Sequence, residues 1–342
     1  MRAVYLEAHG GLDALVAGEL ADPRPGPGEV VVRVKACALN RLDLWVRQGW
    51  PGLALRFPHV LGADVAGVVE EVGPGVATAA AGDEVVVNPG TSCGQCEACL
   101  GGRDNLCPRY ALLGEHVDGG YAERVRVPAA NLCPRPACLS WSEAAAVPLV
   151  FLTAWQMLVD RAAVRPGETV LVHGGGSGVG SAAIQVARLL NATVITTASS
   201  DDKLERAREI GAHHGVRYDR PGWSQEVRDR AGGRGVDVVV EHTGAPTFAD
   251  SVRLVRRGGR VVTCGATGGA DARLDLRVVF YRQVSILGST MAPKARLYDI
   301  LRHVEAGALR PVLDRTFPLE EARQAQRTLE ERRQFGKLVL LP

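Results

Sequence analysis

The sequence predicts an α/β protein in which a doubly wound parallel sheet is inserted into a β-rich domain. Three observations predict it. Between residues 150 and 287, short Val/Ile-rich runs alternate with helical segments, the pattern of parallel strands buried on both faces. The first 149 residues instead carry short Val-rich runs separated by Gly and Pro, the pattern of a compact barrel or sandwich. A glycine cluster, His173–Gly180, falls between a strand and a helix. A length of 342 residues suits two domains.

The elements follow in chain order. Glu29–Ala36, Gly67–Val72 and Asp83–Asn88 read as strands of the first domain. Thr169–His173 is a short apolar strand, and Ser181–Leu190 has Ile184, Ala187 and Leu190 at helical spacing. Thr193–Thr197 is a β-branched strand, and Asp202–Ile210 a charged helix stopped by Gly211. Val236–Val240, Arg260–Cys264 and Gln283–Leu287 complete the inserted sheet. From residue 288 the pattern reverts: helix Ala295–Ala306, extended Pro311–Phe317, helix Leu319–Arg333 and strand Lys337–Leu341. Residues 1–149 and 288–342 are therefore expected to form one domain and 150–287 the other.

Composition narrows the function. Hydrophobic residues make up 46% and charged residues 23%, an ordinary globular balance. A net charge of +2 without basic runs argues against a nucleic-acid partner. No apolar run is long enough to span a membrane, and the first residues lack a signal-peptide pattern, so a cytoplasmic location is expected. Eight cysteines in such a chain argue against a disulfide scaffold. Arg outnumbers Lys heavily; a GC-rich coding sequence explains that without any anionic partner.

The glycine cluster suits a phosphate. Backbone N–H groups at a helix start, with the helix dipole behind them, favour an anion, and glycine lets the backbone approach a pyrophosphate. Gly175, Ser177 and Gly180 read G-x-S-x-x-G, a departure from the strict glycine fingerprint. The next strand selects the coenzyme. Where an NAD site places an acid for the ribose diol, the count from Gly180 falls on Ala198 or Ser199. Ser199, Ser200 and Lys203 suit a 2′-phosphate, so NADP(H) is favoured over NAD(H). The alternative is that Asp201 turns inward and binds NAD(H), or that Lys203 is a solvated helix residue.

Cys93, Cys96, Cys99 and Cys107 form a C-x2-C-x2-C-x7-C lobe. Four thiolates suit one tetrahedral, structural Zn2+ with no open position for substrate. An iron–sulfur cluster is the chemical rival.

With these motifs the chain resembles the medium-chain dehydrogenase/reductase superfamily, the zinc-containing alcohol dehydrogenases and quinone oxidoreductases. The likeness runs over essentially the whole length. It is carried by the glycine turn, Phe57–Gly67, the cysteine lobe, Gly119–Glu123, Thr153-Ala154-Trp155 and Phe335-Gly336-Lys337. It implies a GroES-like catalytic domain made from both ends of the chain, a Rossmann NADP-binding domain between them, and a homodimer or homotetramer. It assigns Gly175, Ser177, Gly178, Val179 and Gly180 to the pyrophosphate, and Ser199, Ser200, Lys203 and Tyr218 to the adenine-ribose phosphate. Thr153, Thr243, Gly244, Gly265, Ala266, Gly288, Ser289 and Lys337 complete the coenzyme set. Alcohol dehydrogenases of this superfamily also hold a catalytic zinc. Its ligand positions fall here on Asn40, Ala63 and a position near Leu149, and the Ser/Thr proton relay falls on Leu42.

Asn40 and Asp43, as Asn-x-x-Asp, look instead like the quinone-oxidoreductase and enoyl-reductase branch. That branch gives hydride to an activated C=C bond or a quinone without a metal. Asn40 is a candidate for binding the substrate oxygen, or else caps its own turn. Asp43 and Asp64 order the pocket, or are buried carboxylates bonded to backbone N–H groups. His116 is a candidate general acid, or an ordinary loop histidine. Spacing alone does not support a cryptic metal site from His59, Asp64, Glu115 and His116. The leading expectation is NADP(H)-dependent reduction of an enone, enoyl compound or quinone. The alternatives are an alcohol dehydrogenase or aldehyde reductase, and a nucleotide-binding scaffold.

Overall fold

The computed structural model describes residues 1–342. They form two compact units, residues 1–149 with 293–342 and residues 150–292. The return to the first unit comes at Pro293 rather than at 288. Residues 288–292 still belong to the inserted sheet's edge: Ser289 N donates to Thr263 O at 2.9 Å, and Thr153 Oγ1 lies 3.9 Å from Met291 Sδ. No helix is long and apolar enough to cross a membrane.

The first unit contributes strand β1 (Glu29–Ala38), helix α1 (Arg41–Gln48), β2 (Asp64–Val72), β3 (Glu84–Val87), β4 (Arg124–Pro128) and β5 (Leu132–Pro134). The second contributes β6 (Thr169–Val172), α2 (Gly178–Leu189), β7 (Thr193–Ala198), α3 (Asp201–Glu209) and β8 (His214–Arg217). It continues with α4 (Trp223–Arg230), β9 (Val236–Glu241), α5 (Phe248–Leu254), β10 (Val255–Thr263), α6 (Leu276–Arg282) and β11 (Ser285–Gly288). The chain then returns through α7 (Ala295–Glu305), β12 (Leu313–Pro318), α8 (Ala322–Glu330) and β13 (Lys337–Leu341).

In the first unit a seven-stranded sheet runs β5-β3-β2-β1-β13-β12, with β4 also paired to β1. Valines 30, 31, 32 and 34 of β1 and 65 and 69 of β2 are buried. Burial of such side chains contributes about 1.5–3 kcal/mol each. The sheet joins the two ends of the chain: β13 pairs antiparallel to β1, setting Val339 opposite Ala38. This places Lys337, at the start of β13, near the turn that follows β1. Helix α1 was not anticipated from sequence. Leu44, Val46 and the hidden Arg47 fix it, and Arg47 Nη1 donates to Gln326 Oε1 of α8 at 2.9 Å. The expected helix at 319–333 is shorter, a 3-10 turn at Leu319–Glu321 followed by α8.

The second unit is a six-stranded sheet in the order β8-β7-β6-β9-β10-β11. Every pairing is parallel. Leu171, Ile195, Val239 and Val261 form its core. The order reverses at β6, between β7 and β9. The loops that follow β6 and β9 therefore flank the crevice where open α/β sheets bind ligands.

Candidate active site

In the first unit, the end of β1, the start of β2 and the start of β13 bring Asn40, Asp64 and Lys337 together in the interior. Their relative exposures are 6%, 0% and 3%. Lys337 Nζ donates to Asn40 Oδ1 at 2.6 Å, Leu39 O at 2.7 Å and Asp64 Oδ2 at 2.9 Å. An ammonium has three donors, so its hydrogens are all engaged. Asn40 Nδ2 donates to the same Asp64 oxygen at 2.9 Å and makes only a 3.4 Å bond to Ala38 O. Asp64 Oδ1 accepts from Leu149 N at 2.8 Å.

Asp43 adjoins this cluster. Its Oδ2 accepts from Asn40 N at 2.7 Å and from the Tyr121 hydroxyl at 3.1 Å, while Oδ1 has no partner. Burial pushes the Asp43 carboxyl up to about 6, although the Asn40 N–H and Lys337 work against it. Burial, and then Asp43, push the Tyr121 hydroxyl up. Gly62 makes room for that ring: it has φ +101°, and a Cβ there would meet Tyr121 Cδ1 at 2.5 Å.

His116 does not belong to this cluster. Its Nδ1 accepts from Leu112 N at 3.2 Å and lies 3.8 Å from Glu115 Oε2, with the side chain 45% exposed. His59 is tied to Gly114 O at 3.2 Å, and burial lowers its pKa. His59, Asp64, Glu115 and His116 do not converge as a ligand group; the four lobe cysteines are the only such group in the chain. A catalytic zinc does not fit the Asn40 cluster either. Its positions offer an amide, a methyl and an aliphatic chain, and the remaining carboxylate is held by an ammonium, an amide and a backbone N–H.

In the second unit the loops after β6 and β9 are built on one buried network. Glu241 Oε1 accepts from Thr243 N at 2.7 Å and Gly244 N at 3.1 Å. Its Oε2 accepts from the Thr247 hydroxyl at 2.9 Å and the Ser251 hydroxyl at 2.7 Å. Ser251 Oγ is 3.0 Å from His173 Nε2, and His173 Nδ1 is 3.1 Å from Thr197 Oγ1. Burial lowers the His173 pKa, although the neighbouring Glu241 carboxylate works against it. Thr197 closes the circuit: Oγ1 accepts from Gly174 N at 3.3 Å and its carbonyl from Gly175 N at 2.9 Å. Ser177 caps α2, accepting from Gly180 N at 2.9 Å. A Cβ at Gly180 would stand 2.2 Å from Gly174 O, so the turn closes only with glycine there. Gly178, Val179 and Gly180 form the first turn of α2, with their N–H groups at the positive end of its dipole.

Most of the other coenzyme candidates stand at the carboxyl ends of strands of the same sheet. Ser199 is exposed, and Ser200 caps α3 by accepting from Lys203 N at 3.3 Å. Tyr218 N donates to Ala198 O at 3.3 Å. Gly265 and Ala266 follow β10, where Gly268 N donates to Thr243 O at 2.7 Å. Gly288 ends β11, and Ser289 Oγ is buried without a partner. Thr153 is buried in the helix Pro148–Trp155. Lys337, grouped by resemblance with the coenzyme residues, stands instead in the Asn40–Asp64 cluster. Sequence reasoning passed over Glu241 and His173. The signal was the acid that closes the run Val236–Val240.

The lobe cysteines bring their four Sγ atoms within 4.8 Å of one another. Cys96 and Cys99 Sγ are 3.5 Å apart, and Cys93 and Cys99 Sγ 3.9 Å. Thiolates about 2.3 Å from one tetrahedral ion stand roughly 3.8 Å apart, so the donor set fits a single zinc. Arg109 N donates to Cys107 Sγ at 3.3 Å.

Two family models match the chain: the alcohol dehydrogenase GroES-like domain over residues 26–137 and the zinc-binding dehydrogenase domain over residues 178–306. The chain is 33% identical to a crotonyl-CoA reductase of Streptomyces collinus, over 94% of this chain and 80% of that protein. It is 31% identical to an NAD-dependent alcohol dehydrogenase of Saccharolobus solfataricus over the full length of both. A solved NAD-dependent alcohol dehydrogenase is 57% identical and superposes over the full length of both chains with a TM-score of 0.97. The chain is an oxidoreductase and belongs to the medium-chain dehydrogenase/reductase superfamily.

Proposed function

We propose that the chain is an NADPH-dependent reductase of activated C=C bonds (an enone, an enoyl thioester or a quinone) with no metal at the site of hydride transfer. The Lys337–Asp64–Asn40 cluster carries this reading. A built-in ammonium neutralises the one carboxylate left where zinc-dependent relatives gather their ligands. Likeness to a crotonyl-CoA reductase supports enoyl reduction.

When bound, a dihydronicotinamide coenzyme would supply hydride for the β-carbon. The protein's task is to meet the charge that develops on the substrate oxygen. Asn40 suits it: Lys337 fixes Oδ1, Asp64 takes one Nδ2 hydrogen, and the second has only the weak bond to Ala38 O. That second hydrogen is the oxyanion donor. Lys337 has no hydrogen to spare, so the proton for the α-carbon comes from water or a nearby acid. Ser177 and the first turn of α2 hold the pyrophosphate; Ser199, Ser200, Lys203 and Tyr218 hold the 2′-phosphate. The cysteine lobe holds one structural zinc.

The 57% identity to an NAD-dependent alcohol dehydrogenase supports a second reading, NAD(H)-linked carbonyl chemistry. Coenzyme oxidation with crotonyl-CoA, an enone, a quinone and an aldehyde decides between them. Turnover of the first three with NADPH is expected; turnover confined to the aldehyde with NADH overturns the proposal. A homodimer or homotetramer is also proposed. Its support is the open edge strand β11 and the exposed Leu276, Phe280, Tyr281 and Ile286 beside it.

A further inference from the structure

The outer edge of the coenzyme sheet carries a charge arrangement beyond Ser199, Ser200 and Lys203. Strand β8 lies parallel to β7 with Arg217 opposite Ala198, so Arg217 stands beside the ribose end of β7. Asp219 orients its guanidinium in a two-pronged grip, Nε to Oδ1 at 2.8 Å and Nη2 to Oδ2 at 2.6 Å. Nη1 is left to donate to Asp201 Oδ2 at 3.1 Å. Arg220 Nη2 donates to that same oxygen, also at 3.1 Å. Two guanidinium groups thus converge on one carboxylate oxygen at the first residue of α3, directly after its Ser200 cap.

The members of this group differ in rigidity. The Arg217 side chain is 19% exposed and fixed by Asp219, whereas the Asp201 side chain is 65% exposed. An exposed ion pair is weak and exchanges readily. Guanidinium forks bind phosphate as well as carboxylate, and a dianion binds more strongly than a single carboxylate. Asp201 therefore occupies, as a tethered anion, a position that a ribose 2′-phosphate would fill.

We propose that Arg217 and Arg220 are determinants of coenzyme specificity and that Asp201 is their internal competitor. With NADP(H) the 2′-phosphate takes both guanidinium groups and Asp201 releases them. With NAD(H) Asp201 keeps them. The inference rests on the adenine ribose lying at the end of β7, as the reductase reading places it, and not on which coenzyme the wild type prefers.

Dissociation constants for NADPH and NADH, from tryptophan quenching of the full-length protein, test it without a substrate. Arg217→Ala is expected to weaken NADPH about tenfold, the loss of one charge-assisted contact, with NADH changed less than about twofold. Arg220→Ala, at a more exposed position, should weaken NADPH in the same sense with the fold intact by circular dichroism. Asp201→Asn should tighten NADPH severalfold and leave NADH equal or weaker. If the arginine variants shift both coenzymes equally, or if Asp201→Asn leaves their ratio unchanged, the proposal is overturned. A wild type that binds NADH more tightly contradicts the NADPH reading above, while the ratios among the variants still decide the clamp.

Discussion

At the scale of single residues, Lys337 is the decisive side chain. It is 3% exposed and its charge is matched inside the fold by Asp64. Removing one partner of a buried pair leaves the other charge uncompensated, which costs about 3–5 kcal/mol. Lys337→Met should lower the unfolding free energy by that amount in urea titrations; a loss below about 1 kcal/mol, the value of a surface pair, would show that the pair is not buried in solution. Asn40→Ala removes the proposed oxyanion donor and should lower kcat about 10²-fold with little change in coenzyme affinity.

Asp43 predicts a pH dependence. Folded, it titrates near 6; unfolded, aspartate titrates near about 3.9. Between these values the folded chain keeps a proton that the unfolded chain has released. This group's contribution to stability is therefore full below about pH 4 and is lost as pH rises through 6. Asp43→Asn abolishes the titration. Wild-type stability relative to that variant should fall by up to about 3 kcal/mol between pH 4 and 7, and a difference that stays flat with pH contradicts the assignment.

At the scale of elements, the Glu241 network joins the loops after β6 and β9. Glu241 holds Thr243 and Gly244 directly, and reaches Gly174 through Ser251, His173 and Thr197. Glu241→Ala leaves buried donors unmet and loosens both loops. NADH and NADPH should then bind about tenfold more weakly, both by the same factor; unchanged affinities for both would place the network outside coenzyme binding. The equal shift separates this effect from the one expected of Arg217→Ala, which should change the two coenzymes unequally. The parallel strands and the glycine turn were legible in sequence because period, length and composition are local properties. Strand β8 was not, because His214-Gly215-Val216-Arg217 has no apolar alternation and is a strand only through its pairing with β7. Nor was the partnership of Lys337 with Asp64, 273 positions apart; nothing local records which carboxylate a lysine will meet.

At the scale of the whole molecule, two clusters differ in how they are built to hold positive charge. The cysteine lobe offers four Sγ atoms within 4.8 Å of one another, while the Asn40–Asp64 cluster carries its positive charge covalently on Lys337. Asp104, within the lobe, accepts from Lys294 N at 2.9 Å, and Lys294 Nζ donates to Asn131 Oδ1 at 2.6 Å. The lobe thereby fixes the start of α7, where the chain re-enters the first unit. Metal removal should expose residues 293–300 to faster amide exchange and lower Tm; unchanged exchange there would separate the lobe from α7. Zinc content per chain, followed with turnover during graded chelation, is the most direct test of a metal-free hydride-transfer site. One zinc per chain is expected, with initial turnover persisting for as long as the fold survives. Two zincs per chain, with activity lost alongside the more labile one while the fold remains intact, would contradict it.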